Sequence, residues 1–208
     1  MPTLLYLHGF ASSPGAAKVQ ALRSALEPAF TVVAPDLNQP SFAELSYGAM
    51  LARAEAAAHA HPPDVVLGSS LGSLVALGLA MRGVGAPLLL LAPALGFAER
   101  WAARLPPGDG PVPFHHFAER RELAVHRAFF QEMARVDVDR APPKQRVVVL
   151  MGRRDETIPV SLVRERWDAW ADGGGLAGGS RYEEIADGDH GLVAHVGHVE
   201  RLVRELAG

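Results

Sequence analysis

Between Asp64 and Leu74 the chain reads D-V-V-L-G-S-S-L-G-S-L, and this stretch constrains the fold more than any other. A short apolar run stops abruptly at Gly68 and a long apolar, helix-like segment begins at once after Gly72. In a strand-to-helix turn that tight, the middle residue is forced into a strained backbone conformation and its side chain is held up at the edge of the sheet. Strand and helix backbones nearly touch on either side of it, so bulky residues are excluded two positions before and after. Gly68 and Gly72 satisfy both demands, and the spacing selects Ser70, rather than Ser69 or Ser73, as the residue at the apex. As a bare pattern G-x-S-x-G also fits an ordinary glycine-rich turn, and only its context makes it evidence. A phosphate-cradling loop is the weaker reading, because neither G-x-G-x-x-G nor G-x-x-x-x-G-K-[ST] occurs here.

The flanking segments supply that context. Thr3 to Leu7 is a short apolar run closed by His8-Gly9, followed by a loop and a helical spacing of Val19, Leu22 and Leu26 that Pro28 ends. Thr31 to Ala34 reads as a second strand. Ser41 and Glu44 form a capping-box pattern, which predicts a helix from about Ser41 to His59. After the elbow, the helix is apolar on almost every side and stops near Arg82-Gly83, as a central buried helix would. Ala86 to Leu91 and Arg146 to Met151 are continuous apolar runs of the parallel-strand kind. Val163, Trp167 and Trp170 mark one face of a further helix, and Tyr182 to Ile185 is the last short strand. Leu192, Val193, Val196, Val199, Val203 and Leu206 mark an amphipathic terminal helix. Six strands alternating with helices predict an α/β protein: a parallel sheet covered on both faces, with ligands bound at the carboxyl ends of the strands.

Residues 93–143 break the alternation. They are rich in proline and aromatics and show no clear strand, so a small helical lid inserted into one 208-residue domain is expected, with helical pieces around Phe97–Leu105 and Glu119–Arg135. Phe114, Phe117, Phe129 and Phe130 could line an acyl pocket or form the lid's own core; helical spacing favours core for most of them.

A serine hydroxyl is a weak nucleophile until a base takes its proton, and the base needs an orienting carboxylate. Folds built on this elbow present them in the order Ser, acid, His. Asp155 follows the strand ending at Met151, with Glu156 as a fallback, and His190 follows the last strand in a loop that Gly188 and Gly191 let bend. The other histidines fit less well. His59 and His61 lie at the wrong end of a helix, His195 and His198 lie inside the terminal helix, and His8 reads as a brace for its own loop. After His8-Gly9, the backbone N–H of Phe10 is one expected donor to a developing oxyanion, and that of Leu71 is the other.

Tyr6-Leu7-His8-Gly9-Phe10-Ala11-Ser12-Ser13-Pro14 with Lys18, Gly68 to Gly72, Asp155-Glu156 and Gly188-Asp189-His190 together resemble the small bacterial α/β-hydrolase esterases of the YqiA type. The likeness spans nearly the whole chain. It implies an α/β-hydrolase fold and cofactor-free hydrolysis of carboxylic esters with short acyl chains. It also implies Ser70 as nucleophile, Asp155 as orienting acid, His190 as base, and Phe10 and Leu71 as oxyanion donors. The same triad would serve a thioesterase or acyltransferase, and a silent binding scaffold is the reading from another class.

Composition closes off other functions. The absence of cysteine excludes disulfides, thiol catalysis and cysteine-ligated metals. No further ligands accompany the H-x-x-H of His195 and His198, so no metal is expected. A net charge of −3 gives no reason to expect nucleic acid or an anionic membrane as partner. The expected partner is a small-molecule ester or thioester. The N-terminus enters a strand without a basic leader, so a cytoplasmic protein is expected.

Overall fold

The Val- and Leu-rich runs form the central sheet because both of its faces are covered, which removes any need for polar alternation. In this computed structural model, which describes residues 1–97, 100 and 105–208, the sheet strands are β1 (Thr3–Leu7), β2 (Thr31–Val33), β3 (Val65–Ser69), β4 (Leu88–Leu91), β7 (Val147–Gly152) and β8 (Arg181–Ile185). They are ordered β2-β1-β3-β4-β7-β8, and every pairing is parallel. The expected six-stranded parallel sheet is therefore present. The chain order reverses between β1 and β3, and such a switch point opens a crevice at the carboxyl ends of the strands.

Helices α2 (Tyr47–Ala60), α3 (Gly72–Met81) and α5 (Val160–Asp172) cover one face, and α1 (Ala17–Leu26) and α6 (Val196–Ala207) the other. Alternate residues of each strand feed the two cores: Val65 and Leu67 pack with α1 and α6, while Val66 packs with α2 and α3. The α3 helix is buried on nearly all sides. Gly78 of α3 lies so close to the Tyr47 hydroxyl that a Cβ there would collide with it. That hydroxyl donates to the Leu74 carbonyl (2.9 Å).

The helix expected from Ser41 starts later. Ser41 and Glu44 do exchange cap-like hydrogen bonds (3.3 Å each), but on an isolated turn that buries Phe42 and Leu45. The helix begins after Ser46, whose Oγ accepts from Ala49 N (3.3 Å). Glu132 decides the position from far along the chain. Its carboxylate accepts from the Tyr47 and Gly48 amides at 2.9 Å each, placing a negative charge on the helix N-terminus. Val193 also departs from expectation. Leu192 takes a left-handed conformation (φ 51°), a short 3₁₀ turn follows at Val193–His195, and the Val193 side chain is 46% exposed.

The segment between β4 and β7 is not purely helical. It contains an antiparallel hairpin, β5 (Val112–His116) and β6 (Arg121–Val125), then α4 (Arg127–Met133). The helix expected from Glu119 is thus confined to its second half. Val112, Phe114 and His116 alternate inward with period two, but the inward histidine and the outward Pro113 hide the alternation. The helical piece expected around Phe97–Leu105 lies for the most part outside the described residues. The hairpin is tied to the main body by Phe117 N donating to Ala11 O (3.0 Å) and His126 N to Ala43 O (2.9 Å).

Candidate active site

Ser70 stands at the end of β3 with φ of 53°, in the left-handed region that costs a non-glycine residue about 1–3 kcal/mol. The surrounding backbone holds it there. Ser70 N donates to Leu91 O (2.9 Å), and its own carbonyl accepts from Ser73 N (3.0 Å) and Ala94 N (3.2 Å). A Cβ on Gly68 would sit 2.5 Å from the Ser73 Cα, and one on Gly72 would collide with the Leu7 carbonyl. The two glycines are therefore required by contact, as the elbow spacing predicts.

The loops after β7 and β8 converge on the same point. Gly152 packs so tightly on Gly188 that a side chain would strike its carbonyl, and Arg154 N donates to Gly188 O (2.9 Å). That approach brings Asp155 and His190 together. His190 Nδ1 lies 2.8 Å from Asp155 Oδ2, and His190 Nε2 lies 3.1 Å from Ser70 Oγ. The other carboxylate oxygen of Asp155 accepts from Thr157 N (2.8 Å) and Ile158 N (2.7 Å). Burial pushes this carboxyl upward, but the hydrogen bonds from His190 and the two amides outweigh it, and the net shift is downward. The Asp155 side chain is fully enclosed while that of His190 is 29% exposed. An ionised carboxylate holds Nδ1–H, so the lone pair of Nε2 faces the Ser70 hydroxyl. Glu156, the fallback acid, is exposed.

His8 is buried (2%) and braces its loop, as its position predicts. Its Nε2 accepts from Leu37 N (3.0 Å), which leaves Nδ1–H to donate to Gly9 O (3.0 Å). A Cβ on Gly9 would come within 3.0 Å of the Ser70 Cβ, so the loop carrying Phe10 runs directly beside the serine. Leu71 precedes the first turn of α3, where backbone amides have no partner within the helix.

The phenylalanines divide. Phe129 (1%) and Phe130 (5%) are core, Phe114 is half-buried, and Phe117 points to solvent at 72% exposure with its ring against His115. The ring of Phe10 is the hub that sequence reading missed, having considered only its amide. It stacks on Phe129 (5.9 Å), meets Phe114 edge-on (4.9 Å) and touches Phe42 (5.2 Å). The hairpin and α4 thus pack directly on the loop beside Ser70. Lys18 was also missed as a participant: its Nζ donates to Ser69 Oγ (2.9 Å), immediately below the elbow. Its sequence signal is its place in the stretch that carries the family resemblance, which gives it no role. Among the described residues no three potential ligands cluster to hold a metal ion, and no helix is long and apolar enough to cross a membrane.

The model of one family matches residues 3–203, which is almost the entire chain. The chain belongs to the uncharacterised protein family UPF0227. No curated protein matches this member of UPF0227 in sequence. Its architecture is that of α/β hydrolases. A protein named a hydrolase from Agrobacterium vitis S4 superposes with a TM-score of 0.82 at 17% identity, over 100% of this chain and 88% of that one. Alpha/beta hydrolase domain-containing protein 10 from mouse gives 0.77 at 19% identity, over 99% and 89%. Est1E from Butyrivibrio proteoclasticus with ferulic acid bound gives 0.76 at 17% identity, over 99% and 87%. At these identities the likeness of UPF0227 to the three proteins is one of fold.

Proposed function

We propose that this chain is a serine carboxylic-ester hydrolase acting on short acyl esters without a cofactor. Ser70 is the nucleophile, His190 the base and Asp155 the orienting acid. The observation that carries the reading is the unbroken line of hydrogen bonds from Asp155 through His190 to Ser70. Ser70 Oγ attacks the ester carbonyl carbon as its proton passes to His190 Nε2. The carbonyl oxygen becomes an oxyanion that accepts from the Phe10 and Leu71 amides, each donor being worth about 3 kcal/mol in the transition state. The imidazolium, stabilised by the Asp155 carboxylate, then protonates the departing alkoxide. That leaves an acyl group on Ser70 and neutral His190. Water, giving its proton to Nε2, attacks the acyl carbon; the acid leaves and Ser70 recovers its hydrogen.

Turnover of p-nitrophenyl acetate and butyrate, with an acyl-CoA and a feruloyl ester alongside, tests this reading against Ser70→Ala. The feruloyl ester is included because Est1E, which shares the fold, binds ferulic acid. Turnover of the simple esters lost in Ser70→Ala is expected. Equal rates in the two proteins would refute it, and preference for the thioester would move the assignment to thioester chemistry.

A further inference from the structure

Lys18 is half-buried on α1 and reaches inward under the elbow. The face of the sheet that it meets is apolar, formed by Leu4, Tyr6, Val65 and Leu67. A cation there loses hydration that one neutral hydroxyl, Ser69 Oγ at 2.9 Å, does not replace. The Tyr6 phenol on the same face is kept protonated by burial. Methionine or leucine at position 18 would pack against the same face at no electrostatic cost. Asp189 and then Asp155 attract the charge electrostatically, but burial outweighs both. These two lie in the loops after β8 and β7, the same loops that carry His190 and the acid.

We propose, on the reading given above, that Lys18 is a positioning residue: its ammonium donates to Ser69 and ties the residue next to Ser70 to α1. The same positive charge favours the oxyanion that forms on the other side of the elbow. Burial lowers the Lys18 ammonium to about 8 against the pull of Asp189 and Asp155, so the charge is present at neutral pH and is lost above that value. The titratable groups facing it are Tyr6 from β1, Asp155 after β7, and Asp189 after β8, with His190 bonded to Asp155.

A depressed lysine means that the unfolded chain binds the proton more tightly, so the cation lowers stability below about pH 8 and this penalty fades as pH rises. A mere strut and a functional cation therefore predict opposite things. The experiment compares wild type, Lys18→Met, Lys18→Arg and Ser70→Ala by thermal melting at pH 7 and by kcat and KM for p-nitrophenyl acetate from pH 6 to 10. For Lys18→Met the expected result is a Tm no lower than wild type, kcat reduced by about tenfold and KM nearly unchanged. Wild type loses kcat above about pH 8, Lys18→Met shows no such limb, and Lys18→Arg restores kcat and keeps it to higher pH. If Lys18→Met does not fold, the strut reading is correct and the proposal is overturned unless Ser69→Ala, which folds around a smaller change, loses kcat by severalfold at unchanged KM. A wild type no more active than Ser70→Ala overturns the hydrolase reading and this inference with it. An active wild type matched by Lys18→Met in kcat and pH profile overturns the role of Lys18 alone.

Discussion

Replacing Asp155 by asparagine tests the orienting carboxylate without removing its volume. In the wild type, Oδ2 accepts from His190 Nδ1 at 2.8 Å in a fully enclosed site, while Oδ1 accepts from Thr157 N and Ile158 N. An asparagine that keeps its oxygen on the two amides must turn its NH₂ toward His190. Nδ1 then becomes the acceptor and the ring proton moves to Nε2, where it faces Ser70 Oγ and blocks proton transfer. The charge-assisted bond to the imidazolium, worth about 3 kcal/mol, is lost as well. Together these predict a fall in kcat of about 10³- to 10⁴-fold, or roughly 4–5.5 kcal/mol. Stability should move far less, by about 1 kcal/mol, because the two amides keep their acceptor. The Asp155 carboxyl is lowered in the fold, so its contribution is present at pH 7, fades as pH falls through its folded value, and is absent from the variant at any pH. The assay is ester turnover at pH 7.5 beside a thermal melt. A folded Asp155→Asn protein retaining more than about a tenth of wild-type kcat would refute the tautomer argument.

Three further substitutions separate the scaffold from the site. Gly72→Ala forces a methyl into the Leu7 carbonyl and within 2.7 Å of that of His8, and should cost several kcal/mol, seen as loss of soluble folded protein. Glu132→Gln keeps the shape but removes the charge on the N-terminus of α2; about 1–2 kcal/mol of stability should disappear in a urea titration while kcat stays within twofold. Phe117→Ala alters an exposed ring and should change stability by less than about 0.5 kcal/mol; a raised KM would show instead that Phe117 contacts substrate.

How much could be read beforehand depended on how local the physics was. The elbow was legible because Gly68 and Gly72 are dictated by contacts a few residues away, and the sheet because doubly covered strands are uninterrupted runs of Val and Leu. Asp155 and His190 were legible through chain order and their place after strands, and the structure brings both within bonding reach of their expected neighbours. Features set by distant residues stayed hidden. The start of α2 is fixed by Glu132, 85 residues beyond Tyr47, so the Ser41–Glu44 pattern misled. The β5–β6 hairpin was masked because its inward face carries His116, stacked edge-on against Phe42 at 4.8 Å. Lys18 stood in the stretch that carries the family resemblance, but nothing local reveals that Ser69, 51 residues further on, accepts from its ammonium.

The central claim concerns one hydroxyl, and covalent capture addresses it most directly. Intact-mass and peptide analysis after incubation with a fluorophosphonate should show a single adduct, located on Ser70, that forms at least 10³-fold more slowly in His190→Gln. A folded wild-type protein that takes up no adduct, or takes it up equally after Ser70→Ala, would contradict the account.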